Sequence, residues 1–107
     1  MAFNVNVKIW FEIDGQPVMG AGRYHLLQAI EQFGSLSEAA KSMKMSYKKA
    51  WKLIKVMNEA FDSPLVEKTK GGKGGGFSSL TEEGFEMMKR YKEVETDFLL
   101  NAEKIKV

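Results

Sequence analysis

Residues 35–61 run Ser35-Leu36-Ser37-Glu38-Ala39-Ala40-Lys41-Ser42-Met43-Lys44-Met45-Ser46-Tyr47-Lys48-Lys49-Ala50-Trp51-Lys52-Leu53-Ile54-Lys55-Val56-Met57-Asn58-Glu59-Ala60-Phe61 and hold two helix starts in succession. Ser35-Leu36-Ser37-Glu38 has the Ser-x-x-Glu form of a capping box, in which each end residue satisfies the other's free backbone amide. Leu36, Ala39, Ala40 and Met43 supply a short apolar face, which predicts a brief helix. After Lys44-Met45, Ser46 is placed to cap a longer helix. Its Ala50, Leu53, Ile54, Met57 and Phe61 face inward, while Lys48, Lys49, Lys52 and Lys55 face largely outward. A short helix, a tight turn and a longer helix with a basic outer face are the elements of a helix-turn-helix.

The flanks extend this pattern. Upstream, Leu26, Leu27, Ile30 and Phe33 recur at helical spacing over Tyr24–Phe33, with Gly34 placed to cap the C-terminus. Farther upstream Phe3, Val5, Val7, Ile9, Phe11 and Ile13 alternate with polar residues and Trp10, the period of two of a half-buried strand. Asp14-Gly15 favours a tight hairpin turn, and Pro17-Val18-Met19 predicts a short return strand on the edge. Downstream, Asp62-Ser63-Pro64 stops the third helix, and Leu65–Thr69 and Phe77–Leu80 read as two strands joined by a glycine-rich tip. Thr81 then caps a last helix, with Glu82 and Glu83 where negative charge complements the helix dipole.

The order predicts an α+β fold, mainly α: a winged helix-turn-helix with an N-terminal β-strand or hairpin and a long C-terminal dimerisation helix. One domain over residues 1–107 is expected, with the N-terminal hairpin at 3–19, the three-helix core at 22–61, the wing at 65–80 and the last helix at 81–105. The length of 107 residues suits one such domain with a modest core. A hydrophobic fraction of 44% is too high for an intrinsically disordered chain. Zero cysteines exclude a disulfide scaffold, a thiolate zinc site and a cysteine nucleophile. No apolar run approaches the roughly 20 residues needed to span a bilayer, and residues 1–7 lack the features of a signal peptide, so a cytoplasmic location is expected.

Charge is unevenly distributed. The formal net charge is +2, but Lys41 to Lys73 holds nine lysines against Glu59, Asp62 and Glu67, a local +6 that the remaining residues offset with −4. A basic middle third with acidic flanks suits a surface that meets a polyanion, although a plain solvated helix face has the same composition. The tip, Lys70-Gly71-Gly72-Lys73-Gly74-Gly75-Gly76, matches neither phosphate-binding pattern. Lys73 is followed by Gly74 rather than Ser or Thr, and Phe77 stands where a dinucleotide motif has its third glycine. Either a loose hairpin turn or a tip that closely approaches a nucleic-acid backbone remains, the second using Lys68, Lys70, Lys73, Gly72 and Gly74 together.

Catalysis has no constellation to rest on. His25 lacks a partner in a recognised spacing and reads as a surface or half-buried helix residue. Glu82, Glu83 and Glu86 are explained as helix-start residues, and no metal-ligand spacing or cofactor motif is present. The expectation is a protein that is not an enzyme and carries no cofactor. Double-stranded DNA is the expected partner, with Ser46, Tyr47, Lys48, Lys49 and Lys52 nearest the bases and the wing lysines on the backbone. Tyr47 and Trp51 lie four apart on one flank of the third helix. That spacing predicts packing for Trp51 and leaves Tyr47 open between core and DNA. A protein-interaction module whose basic face binds an acidic partner is the alternative.

Gly34–Ala40, Met45–Trp51 and Leu65–Gly76, extended by Leu80-Thr81-Glu82-Glu83-Gly84, resemble the N-terminal DNA-binding domain of ModE-type molybdate-dependent transcriptional regulators over residues 5–100. The LysR-type winged domain is more distantly similar. The resemblance implies a prokaryotic homodimeric DNA-binding domain, with the Ser46–Lys52 segment and the Lys68–Lys73 wing at the matched contact positions. Regulators of this type resemble the present domain followed by molybdate-binding domains, and this chain ends at Val107, so molybdate binding is not expected of it. Independently, Gly84, Met88, Tyr91, Glu95, Phe98, Ala102 and Ile105 form a heptad-like seam on the last helix. Met88, Tyr91, Phe98, Ala102 and Ile105 are thus the expected dimer contacts, the alternative being a helix that packs back onto its own core.

Overall fold

The computed structural model describes residues 3–69 and 77–105. In chain order it comprises β1 (Trp10–Ile13), β2 (Gln16–Gly20), α1 (Ala21–Phe33), α2 (Leu36–Ser42), α3 (Tyr47–Ala60), β3 (Val66–Thr69), β4 (Phe77–Leu80) and α4 (Glu82–Lys104). Local signals set the helix ends. Ser35 Oγ accepts from Glu38 N–H at 3.0 Å, Ser46 Oγ from Lys49 N–H at 3.1 Å, and Thr81 Oγ1 from Gly84 N–H at 3.0 Å. Gly34 closes α1 at φ 72°, donating its N–H to Ile30 O at 2.8 Å. The Glu38 carboxylate turns to Lys41, 3.6 Å away, so the cap at Ser35 operates through the serine.

The turn between α2 and α3 is tight because Met45 N–H reaches back to Ala40 O at 3.0 Å and Lys44 N–H to Lys41 O at 3.0 Å. Lys44 adopts φ 54° there, a left-handed conformation. This turn sets α3 across α2. Met19, Leu26, Leu27, Ile30, Ala39, Ala50, Met57, Leu65 and Tyr91 meet in one buried cluster beneath both helices. Each large aliphatic side chain buried there contributes roughly 1.5–3 kcal/mol.

The wing is an antiparallel pair in which Val66 faces Leu80 and Lys68 faces Ser78. Ser78 N–H donates to Gly34 O at 2.9 Å, which ties β4 to the end of α1. At the other end of the chain β1 and β2 form a second antiparallel pair, turned through Asp14 (φ 50°) and Gly15 (φ 81°).

Here the structure departs from the expected strand over residues 3–13. Regular pairing begins only at Trp10, which faces Gly20, and α1 starts at the next residue, so no partner strand remains for residues 3–9. Phe3, Val5 and Val7 are consequently exposed, Ile13 is exposed beside the hairpin turn although paired with Gln16, and Ile9 and Phe11 pack on the core. The return strand is an edge of this two-stranded pair, and a register shift after Phe11 lets its consecutive Val18 and Met19 both be buried.

The seam expected on α4 is divided between two environments. Tyr91 is 1% exposed. Its ring packs on Phe11 and Tyr24 with centroids 5.4 and 5.6 Å apart. Its hydroxyl lies 3.0 Å from Ile9 O and 3.3 Å from Glu95 Oε2. Burial, then the Glu95 charge and hydrogen bond, raise its pKa above the ordinary value of 10.0. Tyr91 is therefore a core residue of its own chain rather than a dimer contact. Met88 is half-buried against the same core, whereas Ala102 lies outside that cluster and is buried where the end of α4 meets residues 3–6. Phe98 and Ile105 remain exposed, at 56% and 61%.

Candidate nucleic-acid interface

The N-terminal half of α3 displays its polar stripe because the Ser46 cap and the α2–α3 turn fix where the helix begins. Ala50, Ile54 and Met57 point into the core, and Ser46, Tyr47, Lys48, Lys49 and Lys52 are exposed together on the opposite side. Ser46, Lys48, Lys49, Lys52, Leu53 and Val56 border one shallow depression. Ser46 Oγ accepts the cap bond, which leaves its O–H to donate outward. The ion pairs among the described residues are Lys41–Glu38 and Lys92–Glu95, so Lys48, Lys49, Lys52, Lys55 and Lys68 are not committed to carboxylates.

Beside this stripe, α3 and the wing enclose a cleft of about 290 Å³ lined by Leu36, Trp51, Ile54, Lys55, Asn58, Glu59, Val66, Glu67, Lys68 and Ser78. Trp51, expected to pack, is 41% exposed at this cleft, and Lys55 Nζ lies 5.2 Å from its ring centroid. Tyr47 is exposed as well, at 50%. Both aromatics flank the lysine stripe because the core beneath α3 is already filled by Ala50, Ile54 and Met57.

Of the wing residues singled out in the sequence, Lys68 is exposed on β3. Lys70, Gly72, Lys73 and Gly74 lie outside the described residues. Asn58 was not anticipated. Its Oδ1 accepts from Leu65 N–H at 2.8 Å and Val66 N–H at 3.2 Å, and its Nδ2 donates to Val66 O at 2.9 Å. The available signal was an amide beside Met57, on the flank of α3 that turns toward the chain after Pro64.

His25 is exposed, with Nδ1 3.4 Å from Gln28 Oε1. Among the described residues no group of three or more His, Asp or Glu side chains is arranged to hold a metal ion. Likewise, no helix there is long and apolar enough to cross a membrane.

The chain is 44% identical over 69 residues to the DNA-binding transcriptional dual regulator ModE of Escherichia coli (strain K12), covering 64% of this chain and 26% of that protein. It is 41% identical over 76 residues to the molybdenum transport protein ModE of Azotobacter vinelandii, covering 71% and 28%. With the molybdenum-pterin-binding protein MopA of Rhodobacter capsulatus it shares 41% identity over 70 residues, covering 65% and 26%. It thus spans about a quarter of the length of these curated relatives. A solved LysR family transcriptional regulator superposes with a TM-score of 0.57 over 78% of this chain and 27% of that one, at 14% identity, which shows the fold. The model of the bacterial regulatory helix-turn-helix proteins of the LysR family matches residues 22–85, from the second residue of α1 into the first turn of α4. The chain belongs to that family.

Proposed function

We propose that the chain binds double-stranded DNA as a homodimer and acts as a ModE-like regulator of transcription. The observation that carries this reading is the exposed stripe Ser46, Tyr47, Lys48, Lys49 and Lys52 on a helix capped at its groove-facing end, with Lys68 of the wing beside it and none of these lysines paired among the described residues. Inserted in a major groove, the start of α3 offers lysine and hydroxyl donors to guanine O6 and N7 or to phosphates. Lys68, with Lys70, Gly72, Lys73 and Gly74, takes the adjacent backbone. The relatives named as transcriptional regulators support the same assignment. Two such helices related by a two-fold axis read half-sites about one helical turn apart, roughly 34–36 Å.

The test is titration of duplex DNA at several salt concentrations. Log K is expected to fall linearly with log salt, by about 0.9 for each phosphate contacted. Salt-independent binding, or none at low salt, overturns the proposal. Binding of an acidic polypeptide without any affinity for duplex would instead assign the basic face to protein recognition.

A further inference from the structure

We infer that Asn58 is a positioning residue that locks the wing to the recognition helix, so that the two DNA-contacting elements meet one duplex as a preset pair. This rests on the DNA-binding proposal above. Asn58 lies eleven residues beyond Tyr47, about 16 Å along the axis of α3 from the end that carries Ser46, Lys48 and Lys49. It therefore acts at a distance from the bases. Both lone pairs of its Oδ1 and one hydrogen of its Nδ2 are used on Leu65 and Val66.

Those two residues are the root of β3, a strand whose only partner among the described residues is β4. The Asn58 amide satisfies backbone groups of Val66 that a third strand would otherwise pair. The same root is gripped from α4: Thr81 N–H donates to Leu65 O at 3.0 Å, and Thr81 Oγ1 donates to Pro64 O at 2.6 Å while accepting from Gly84 N–H at 3.0 Å. The segment Pro64–Val66 is thus bonded to α3 on one side and to the start of α4 on the other. Lys68 follows two residues later, about 7 Å along the strand. Its position relative to Lys48 and Lys52 is set by this root.

The experiment combines Asn58→Ala, Asn58→Asp and Lys68→Ala in the full chain, measured against a duplex selected from a random pool by the unsubstituted protein and against random duplex. Loss of preorganisation in Asn58→Ala is expected to weaken the selected and the random duplex alike, by about tenfold, with the salt slope falling by about one. Lys68→Ala is then expected to add little in the Asn58→Ala background, although it weakens the unsubstituted protein. Asn58→Asp, which keeps both acceptor contacts, falls between. Independent, multiplying effects of the two alanine substitutions overturn the inference, as does an unchanged salt slope in Asn58→Ala. Amide exchange separates this from failure of the DNA reading. If the unsubstituted protein binds no duplex, that reading fails, while exchange at Leu65 and Val66 as slow in Asn58→Ala as in the original chain removes the clamp as well. Should Asn58→Ala fail to fold, Asn58→Asp with Lys68→Ala completes the same cycle.

Discussion

Gly84 stands in the first turn of α4, where a Cβ would collide with the carbonyl oxygen of Leu65 and touch Leu80 Cβ at 3.4 Å. Helix propensity alone favours alanine over glycine by about 1 kcal/mol, but backbone that must move to admit a methyl costs more, typically about 1–3 kcal/mol for overpacking. Gly84→Ala is therefore expected to lower stability by about 2 kcal/mol, read as a fall in Tm of roughly 10 °C. An unchanged or raised Tm would show that the wing root yields easily. The same close approach brings Thr81 within reach of Pro64 and Leu65, so one missing side chain serves the wing and α4 together.

Between elements, Tyr91 joins α4 to the chain leading into β1. Tyr91→Phe keeps the packing on Phe11 and Tyr24 and removes the hydrogen bond to Ile9 O, for an expected loss of about 1 kcal/mol. The pH dependence has a definite sign. The folded state holds the phenolic proton more tightly than the unfolded chain, whose value is 10.0, so the contribution is intact below that pH and is lost as pH rises through the raised folded value. Thermal melts of both proteins at alkaline pH should converge above about pH 10; parallel curves would mean that Tyr91 ionises without consequence.

Elements with local signals follow their sequence closely: the three side-chain caps fall at Ser35, Ser46 and Thr81, the α1 stop at Gly34 and the hairpin turn at Asp14-Gly15. The alternation of Phe3, Val5 and Val7 is as regular as that of Ile9 and Phe11. It makes no strand, because a ladder also needs a partner and β2 ends at Gly20.

At the scale of the whole molecule the chain is elongated, with extents of 56 × 30 × 21 Å and a radius of gyration of 15.9 Å, against about 13 Å for a compact domain of this length. α4 accounts for much of this: its 23 residues make a rod about 35 Å long. Its C-terminal part exposes Phe98, Leu99, Leu100 and Ile105, and Ala102, Glu103 and Ile105 border a concavity with Phe3–Asn6. A second copy that covers this end would bury apolar surface that one chain leaves in water, worth about 25 cal/mol per Å². Sedimentation is expected to give twice the chain mass of 12.1 kDa for the unsubstituted protein and the single-chain mass for Phe98→Lys with Ile105→Lys. Both positions are solvent-facing in one chain, so the pair should leave the melt of the folded unit nearly unchanged. A substituted chain that still sediments as a dimer would move the interface elsewhere.

Residues within one or two turns of each other were enough to establish the order of helices, their caps, the wing and the basic stripe of α3, since capping, turn chemistry and periodicity act over that range. The family followed from the same stretches. Which apolar residues were covered was a different matter. Tyr91 is buried by a contact with Ile9 across 82 positions, Trp51 stays half in solvent at a cleft that exists only once the wing folds beside α3, and the Asn58 clamp needs the backbone of Leu65 and Val66 to pass within 3.2 Å. A heptad on α4 specifies a stripe but not its occupant. Tertiary packing assigned the Gly84–Tyr91 part of that stripe to its own core and left Phe98 and Ile105 in solvent, because the hairpin and α1 reach only so far along the helix.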